Sequence, residues 1–169
     1  INYMLIREMS KNIKKISAYL GNSFLIKLTF SILAFIAVIG IMNAGNFPNP
    51  KKTIVYLIFA YMITRSLCEL LFTVFKVYES MHYEAIIKLL NTIALVAFTF
   101  FAILQNMGII AVGIVYFAVQ ILIFILAFSI IIKKFTRVSF KFDLGLSKEI
   151  IKKASPFSLS LIFAGIYFY

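Results

Sequence analysis

Carboxylates are scarce in this chain: Asp and Glu number 6 in 169 residues, against 17 Lys and Arg. Glu79, Glu84, Asp143 and Glu149, which fall in connecting segments, are scattered and show neither metal-ligand spacing nor the pairing of a general acid and base. Cysteine is limited to Cys68, so a disulfide framework and a cysteine metal site are excluded. The single histidine, His82, lies in a short polar link, where a solvated loop residue is a simpler reading than a proton relay. No G-x-x-x-x-G-K-[ST] phosphate loop is present, which argues against ATP hydrolysis. Enzyme is the least favoured class.

What the chain has instead is apolar length. Hydrophobic residues make up 63% of it and mean hydropathy is +1.02, whereas a soluble domain is about 45–50% apolar. A hydrocarbon core about 30 Å thick takes roughly 20 apolar residues per helix. Four runs meet that length, about 24–42, 53–75, 86–107 and 109–132. A fifth begins at Ser155 and reaches only about 22 Å by Tyr169. With Ile1 in place of an initiator, the chain reads as an internal fragment of a larger transporter-like protein, expected not to fold alone. The fold expected is all-α, a polytopic membrane helix bundle.

The net charge of +11 is distributed by position. Arg7, Lys11, Lys14 and Lys15 precede the first run, and Lys76 and Lys88 flank the second link. Lys133, Lys134, Arg137, Lys141, Lys148, Lys152 and Lys153 fill the fourth, while the alternate links hold only Lys51 and Lys52. This bias follows the positive-inside rule and assigns residues 1–23, 76–85 and 133–154 to the cytoplasm of a multi-pass plasma-membrane protein. It is not the footprint of a nucleic-acid partner.

Residues 4–20 place Ile6, Met9, Ile13, Ile16 and Leu20 at helical spacing with the basic residues off that stripe, a pattern for an amphipathic helix on the lipid surface. Residues 133–154 form a basic link, in which 144–154 reads as a short surface helix with Ile150 and Ile151 turned to the membrane. Ser155 and Pro156 suit the cap and first turn of the next helix.

Within the second run, Tyr61, Arg65, Glu69 and Thr73 recur every four residues and form one polar stripe. An unpaired charge at mid-bilayer costs from about 2.5 to more than about 10 kcal/mol, so this stripe should face protein or water. The spacing lets Arg65 and Glu69 reach one another. Further polar faces hold Lys88, Asn91, Thr92, Thr99 and Asn106 in the third run, and Gly113, Tyr116, Gln120 and Ala127 in the fourth. Lys27, Ser31 and Ala34 share a face of the first. Four such faces can line one cavity, or can simply allow close helix packing. The substrate-binding candidates are Arg65, Lys27, Lys88, Tyr61 and Gln120. Arg65 suits an anionic head group because its guanidinium stays charged and offers forked donors. Glu69 is the candidate for ion coupling, with H+ or Na+ as the ion; no other cofactor and no metal site is expected.

Four stretches carry a family resemblance: "LIREMSKN", "YLGNSFLIKL", "VFKVYESMHYEAII" and "IIKKASPFSLSLIFAGIYF". Their order resembles that of the polysaccharide-biosynthesis flippases, the O-antigen or Wzx type, within the multidrug/oligosaccharidyl-lipid/polysaccharide exporter superfamily. The resemblance implies helices three to six and the start of the seventh in the N-terminal lobe of a two-lobe transporter, with 133–154 as the inter-lobe link. It further implies alternating access and a lipid-linked oligosaccharide as substrate, with membrane lipids and polysaccharide-assembly proteins as partners. Arg65 and Glu69 match no motif of that family and rest on the reading of the residues alone. The alternatives are a cation-coupled multidrug antiporter of the same superfamily, with a more acidic cavity, and a membrane scaffold subunit that transports nothing.

Overall fold

A computed structural model describes residues 2–11, 16–45, 47–135, 143–153 and 155. Its elements are α1 (Asn2–Lys11), α2 (Ile16–Ala44), α3 (Asn49–Val77), α4 (Met81–Leu104) and α5 (Gly108–Lys134). A further helix, α6, covers residues 144–153. The described residues are all-helical, and α2 to α5 are each long and apolar enough to cross a membrane. They are also longer than their apolar runs. The 29 residues of α2 extend about 43 Å, well past a hydrocarbon core of about 30 Å. Hydropathy marks the part dissolved in lipid, whereas the backbone hydrogen bonds continue into the polar layer.

Turn chemistry sets the hairpins. At the end of α3 the Ser80 amide donates to the Phe75 carbonyl (2.8 Å) and the Glu79 amide to that of Lys76 (3.2 Å), with Glu79 at φ 54°. The end of α4 repeats the arrangement: the Met107 amide reaches the Ala102 carbonyl, the Asn106 amide reaches that of Ile103, and Asn106 has φ 52°. Both are Schellman-type stops that reverse the chain within three residues. On the other side of the bundle, Pro48 and Pro50 open α3 after α2 has ended at Ala44.

α3 is the hub, in close contact with α1, α2, α4 and α5. Its span has the lowest hydropathy of the four, 1.7, yet it supplies Leu67, Cys68, Leu70, Leu71, Phe72, Val74 and Phe75 to the core. Gly113 on α5 admits it closely, since a methyl group there would stand 3.3 Å from Leu57 Cδ1. An aromatic cluster closes the opposite end of the bundle, at the last turns of α3 and α5. Phe135 stands 5.5 Å from Phe75, 5.1 Å from Tyr78 and 5.7 Å from Tyr83, centroid to centroid, and Lys134 Nζ donates to the Tyr83 hydroxyl at 2.7 Å.

Of the amphipathic stretch expected over 4–20, residues 4–11 and 16–20 are described. α1 ends at Lys11, and residues 16–20 belong to the long helix α2. Its apolar side packs on protein: Met4, Leu5 and Met9 are buried in the same core as Ile16, Leu20 and Phe75. Ile13, Lys14 and Lys15 lie outside the described residues, as do Arg137, Lys141, Pro156 and most of the last apolar run.

α6 docks on the N-terminal helices. Asp143 caps it, its Oδ1 accepting from the Gly145 amide (2.8 Å) and the Leu146 amide (3.1 Å). Asn22, wholly buried on α2, accepts through Oδ1 from the Asp143 amide at 2.9 Å and the Ser147 hydroxyl at 3.1 Å. Lys153 Nζ bridges Glu8 (3.0 Å) and Glu149 (2.7 Å). Those bonds turn the Ser147 and Ile150 side inward. Ile150 is therefore 1% exposed, a correction to its expected membrane-facing position, while Ile151 remains 46% exposed. The Ser155 hydroxyl donates back to the Lys152 carbonyl at 3.0 Å, extending the turn before it.

Candidate functional site: a charged cavity among three spans

The repeat of four that aligned Tyr61, Arg65 and Glu69 on α3 places them along one wall of a cavity of about 360 Å³. α4 adds Lys88, Asn91, Thr92 and Leu95, and α5 adds Gln120 and Ile123. Five of the six residues singled out from sequence thus meet in one space. Lys27 does not join them. Among α1, α3, α4 and α5, as far as they are described, the backbone of α2 comes close to α1 and α3, and it reaches α5 through the Phe24 and Phe124 rings (6.3 Å). Lys27, Ser31 and Ala34 line a separate, mostly apolar groove between α2 and α3, where Lys27 Nζ donates to the Ser66 carbonyl at 3.0 Å.

The charges are wired across helices. Arg65 and Glu69 form no ion pair with each other. Arg65 Nη1 instead donates to the Tyr61 hydroxyl at 3.2 Å, one helical turn back, and the Tyr61 ring stands edge-on to Tyr116 of α5 at 5.6 Å. Glu69 faces Lys88 on α4 at 3.7 Å. Lys88 is held more tightly by Glu84, at 2.7 Å, and lies 5.2 Å above the Phe72 ring. Glu84 takes Lys76 as well, at 3.3 Å. Helical spacing alone favoured the pair on α3; the neighbouring helix offers Glu69 a different cation, and the arginine is left with a neutral partner.

This arithmetic leaves the cavity cationic. Lys76 and Lys88 balance Glu84 and Glu69, and Arg65 has no carboxylate within ion-pair distance among the described residues. Arg65 lies about 18 Å along the helix from Val77 and about 24 Å from Asn49, close to mid-span. Beside it, the Asn91 side-chain oxygen is buried with no hydrogen-bond partner among the described residues. Gln120 is buried at the cavity wall, so neutral donors and acceptors stand next to the guanidinium.

Glu84 was the residue sequence reading passed over. It belongs to the first turn of α4, in a segment that looked like a solvated link, and its buried position depends on how α3 and α4 fold back on one another. Its spacing of four from Lys88 was the available signal. His82 contributes nothing to the cavity; it is exposed and its ring rests beside Tyr83 at 4.2 Å. Among the described residues no group of His, Cys, Asp and Glu could hold a metal ion.

A bundle of four apolar helices, three of which line a charged, polar cavity, defines a membrane-embedded helical protein. The family profile described as Polysaccharide biosynthesis protein matches residues 1–169, and the chain belongs to that family. Neither a curated protein nor a solved structure gives a significant match.

Proposed function

We propose that this protein moves an anionic, lipid-linked oligosaccharide across the plasma membrane, from the cytoplasmic to the outer leaflet, by alternating access and without catalysing a chemical step. The observation that carries the reading is Arg65: a permanent cation at mid-span, lining a cavity and, among the described residues, bonded to a neutral hydroxyl alone. A guanidinium so placed suits the phosphate groups of a polyisoprenyl-pyrophosphate carrier. Asn91, Thr92 and Gln120 suit sugar hydroxyls. The surplus of positive charge favours this reading over a cation-coupled antiporter, for which an acidic cavity is expected. Residues 1–23, 76–85 and 133–154 face the cytoplasm in this orientation, in keeping with their Lys and Arg content. Glu69 is the proposed site for a coupling ion, H+ or Na+, with Lys88 as its counter-charge.

The test is translocation of a fluorescent lipid-linked oligosaccharide by the protein at its natural length in proteoliposomes. Arg65→Ala is expected to reduce the rate by at least about tenfold at equal folded amounts, the scale of one charge-assisted contact. Wild-type rates in Arg65→Ala would reject the reading. Glu69→Gln should abolish the ion dependence of transport, and an unchanged dependence would remove Glu69 from that role.

A further inference from the structure

Glu84 is only 8% exposed and collects two ammonium groups: Lys76 from the last turn of α3 at 3.3 Å and Lys88 from the next turn of its own helix at 2.7 Å. A carboxylate removed from water is costly unless its partners satisfy it, and here both are cations. The same ammonium of Lys88 is a full ångström farther from Glu69, at 3.7 Å, although Glu69 is the carboxylate that lines the cavity. Lys88 therefore stands where Glu84 holds it.

We infer that Glu84 is a positioning residue for the cavity: it holds and neutralises Lys88, so that Arg65 is the cation left to meet an anionic ligand. The inference rests on the proposed function for the ligand, but its geometric half does not. With Glu84 removed, Lys88 keeps only its longer, 3.7 Å contact with Glu69 and is free to turn to the same head group as a second cation, so that the ligand binds more tightly and leaves more slowly.

Two readouts separate these halves. The first is the rate at which an amine-acylating reagent labels Lys88 in the purified protein at its natural length, by mass spectrometry, with Lys51 as internal reference. Glu84→Gln should raise that rate about three- to tenfold, the factor for one charge-assisted hydrogen bond at a half-exposed group. Lys76→Met leaves Glu84 to Lys88 alone and should not raise it, which keeps the test decisive if Glu84→Gln fails to fold. An unchanged rate in folded Glu84→Gln, or a faster one in Lys76→Met, overturns the inference. The second readout is transport against concentration of the lipid-linked oligosaccharide. Glu84→Gln should lower the half-saturating concentration about threefold and also lower the maximal rate, the effect of tighter ground-state binding. Adding Lys88→Gln to Glu84→Gln should raise the half-saturating concentration again by at least about the same threefold factor. Faster labelling with no change in half-saturation overturns the role assigned to Lys88 in the ligand's space. If the wild-type protein moves no anionic lipid-linked substrate, the proposed function fails while the labelling result stands.

Discussion

The two halves of α3 are built from similar residues and packed differently. From Leu67 to Phe75 nearly every side chain is buried, whereas no residue from Asn49 to Ser66 is. The neighbouring helices follow the same division. α2 buries Ile16, Tyr19 to Ser23 and Ile26 but exposes Ile32, Leu33, Ile36 and Ile41, and α5 buries one face, Val119, Gln120, Ile123, Ala127 and Ile131, while Ile109 and Ile114 stay exposed. The half that holds the core is also where α1 and α6 attach. The other half presents apolar surface whose stabilisation must come from lipid or from further protein, because in water it would be a large exposed patch. The cavity lies at the boundary, with Arg65 on the open side and Cys68 and Phe72 on the closed side.

Paired truncations measure the difference most directly. Phe75→Ala removes a fully buried ring from the packed half and should cost about 3–5 kcal/mol, read from denaturation of the purified protein in detergent. Ile36→Ala, 59% exposed in the open half, should cost no more than about 0.5 kcal/mol. Equal losses would mean the open half is held by contacts of its own.

Asn22→Ala tests the attachment of α6 to the packed half. It leaves the Asp143 amide and the Ser147 hydroxyl without their acceptor, for an expected loss of about 1–3 kcal/mol. Proteolysis within 144–153 should quicken accordingly, and unchanged cleavage would show that Ile150 and the Lys153–Glu8 ion pair hold the helix without Asn22.

The smallest effect is one of pH. The bonds from Lys153 and then Lys11 hold the Glu8 carboxyl below its ordinary value of 4.5, and the Glu149 and Glu8 carboxylates hold the Lys153 ammonium above its ordinary 10.5. A lowered acid contributes stability that is present above its unfolded value and lost as pH falls through the folded one; a raised base contributes stability present below its unfolded value and lost as pH rises through the folded one. The contact between α1 and α6 should therefore be flat with pH between about 4.5 and about 10.5 and loosen slightly beyond either limit. A spin label at Lys152→Cys would report this as mobility, and a transition near neutral pH would contradict it.

The four spans were legible because lipid solubility is a property of composition, summed over a helix. Their ends were not, because polar residues such as Asn22, Glu84 and Lys134 continue a helix as readily as they leave one. The cavity was half legible. A repeat of four puts Tyr61, Arg65 and Glu69 on one face whatever surrounds them, and Lys88 and Gln120 were found by the same logic. Which cation Glu69 meets depends on the rotation of α4 about its own axis, and the separation of Lys27 depends on α2 lying beside α3 away from α4. No spacing within one helix records either. Ile150 teaches the same lesson at the surface: a stripe of apolar and basic residues fits a lipid interface and a protein groove equally well, and Asn22, far back in the chain, decides between them.

That attachment has a mechanical consequence. α6 follows α5 in the chain, but its hydrogen bonds and ion pair run to α2 and α1. A pull on the chain beyond Lys153 is thus carried by Asn22 and Glu8 into the N-terminal helices. The link that follows α5 is anchored, over 143–153, to the opposite end of the chain.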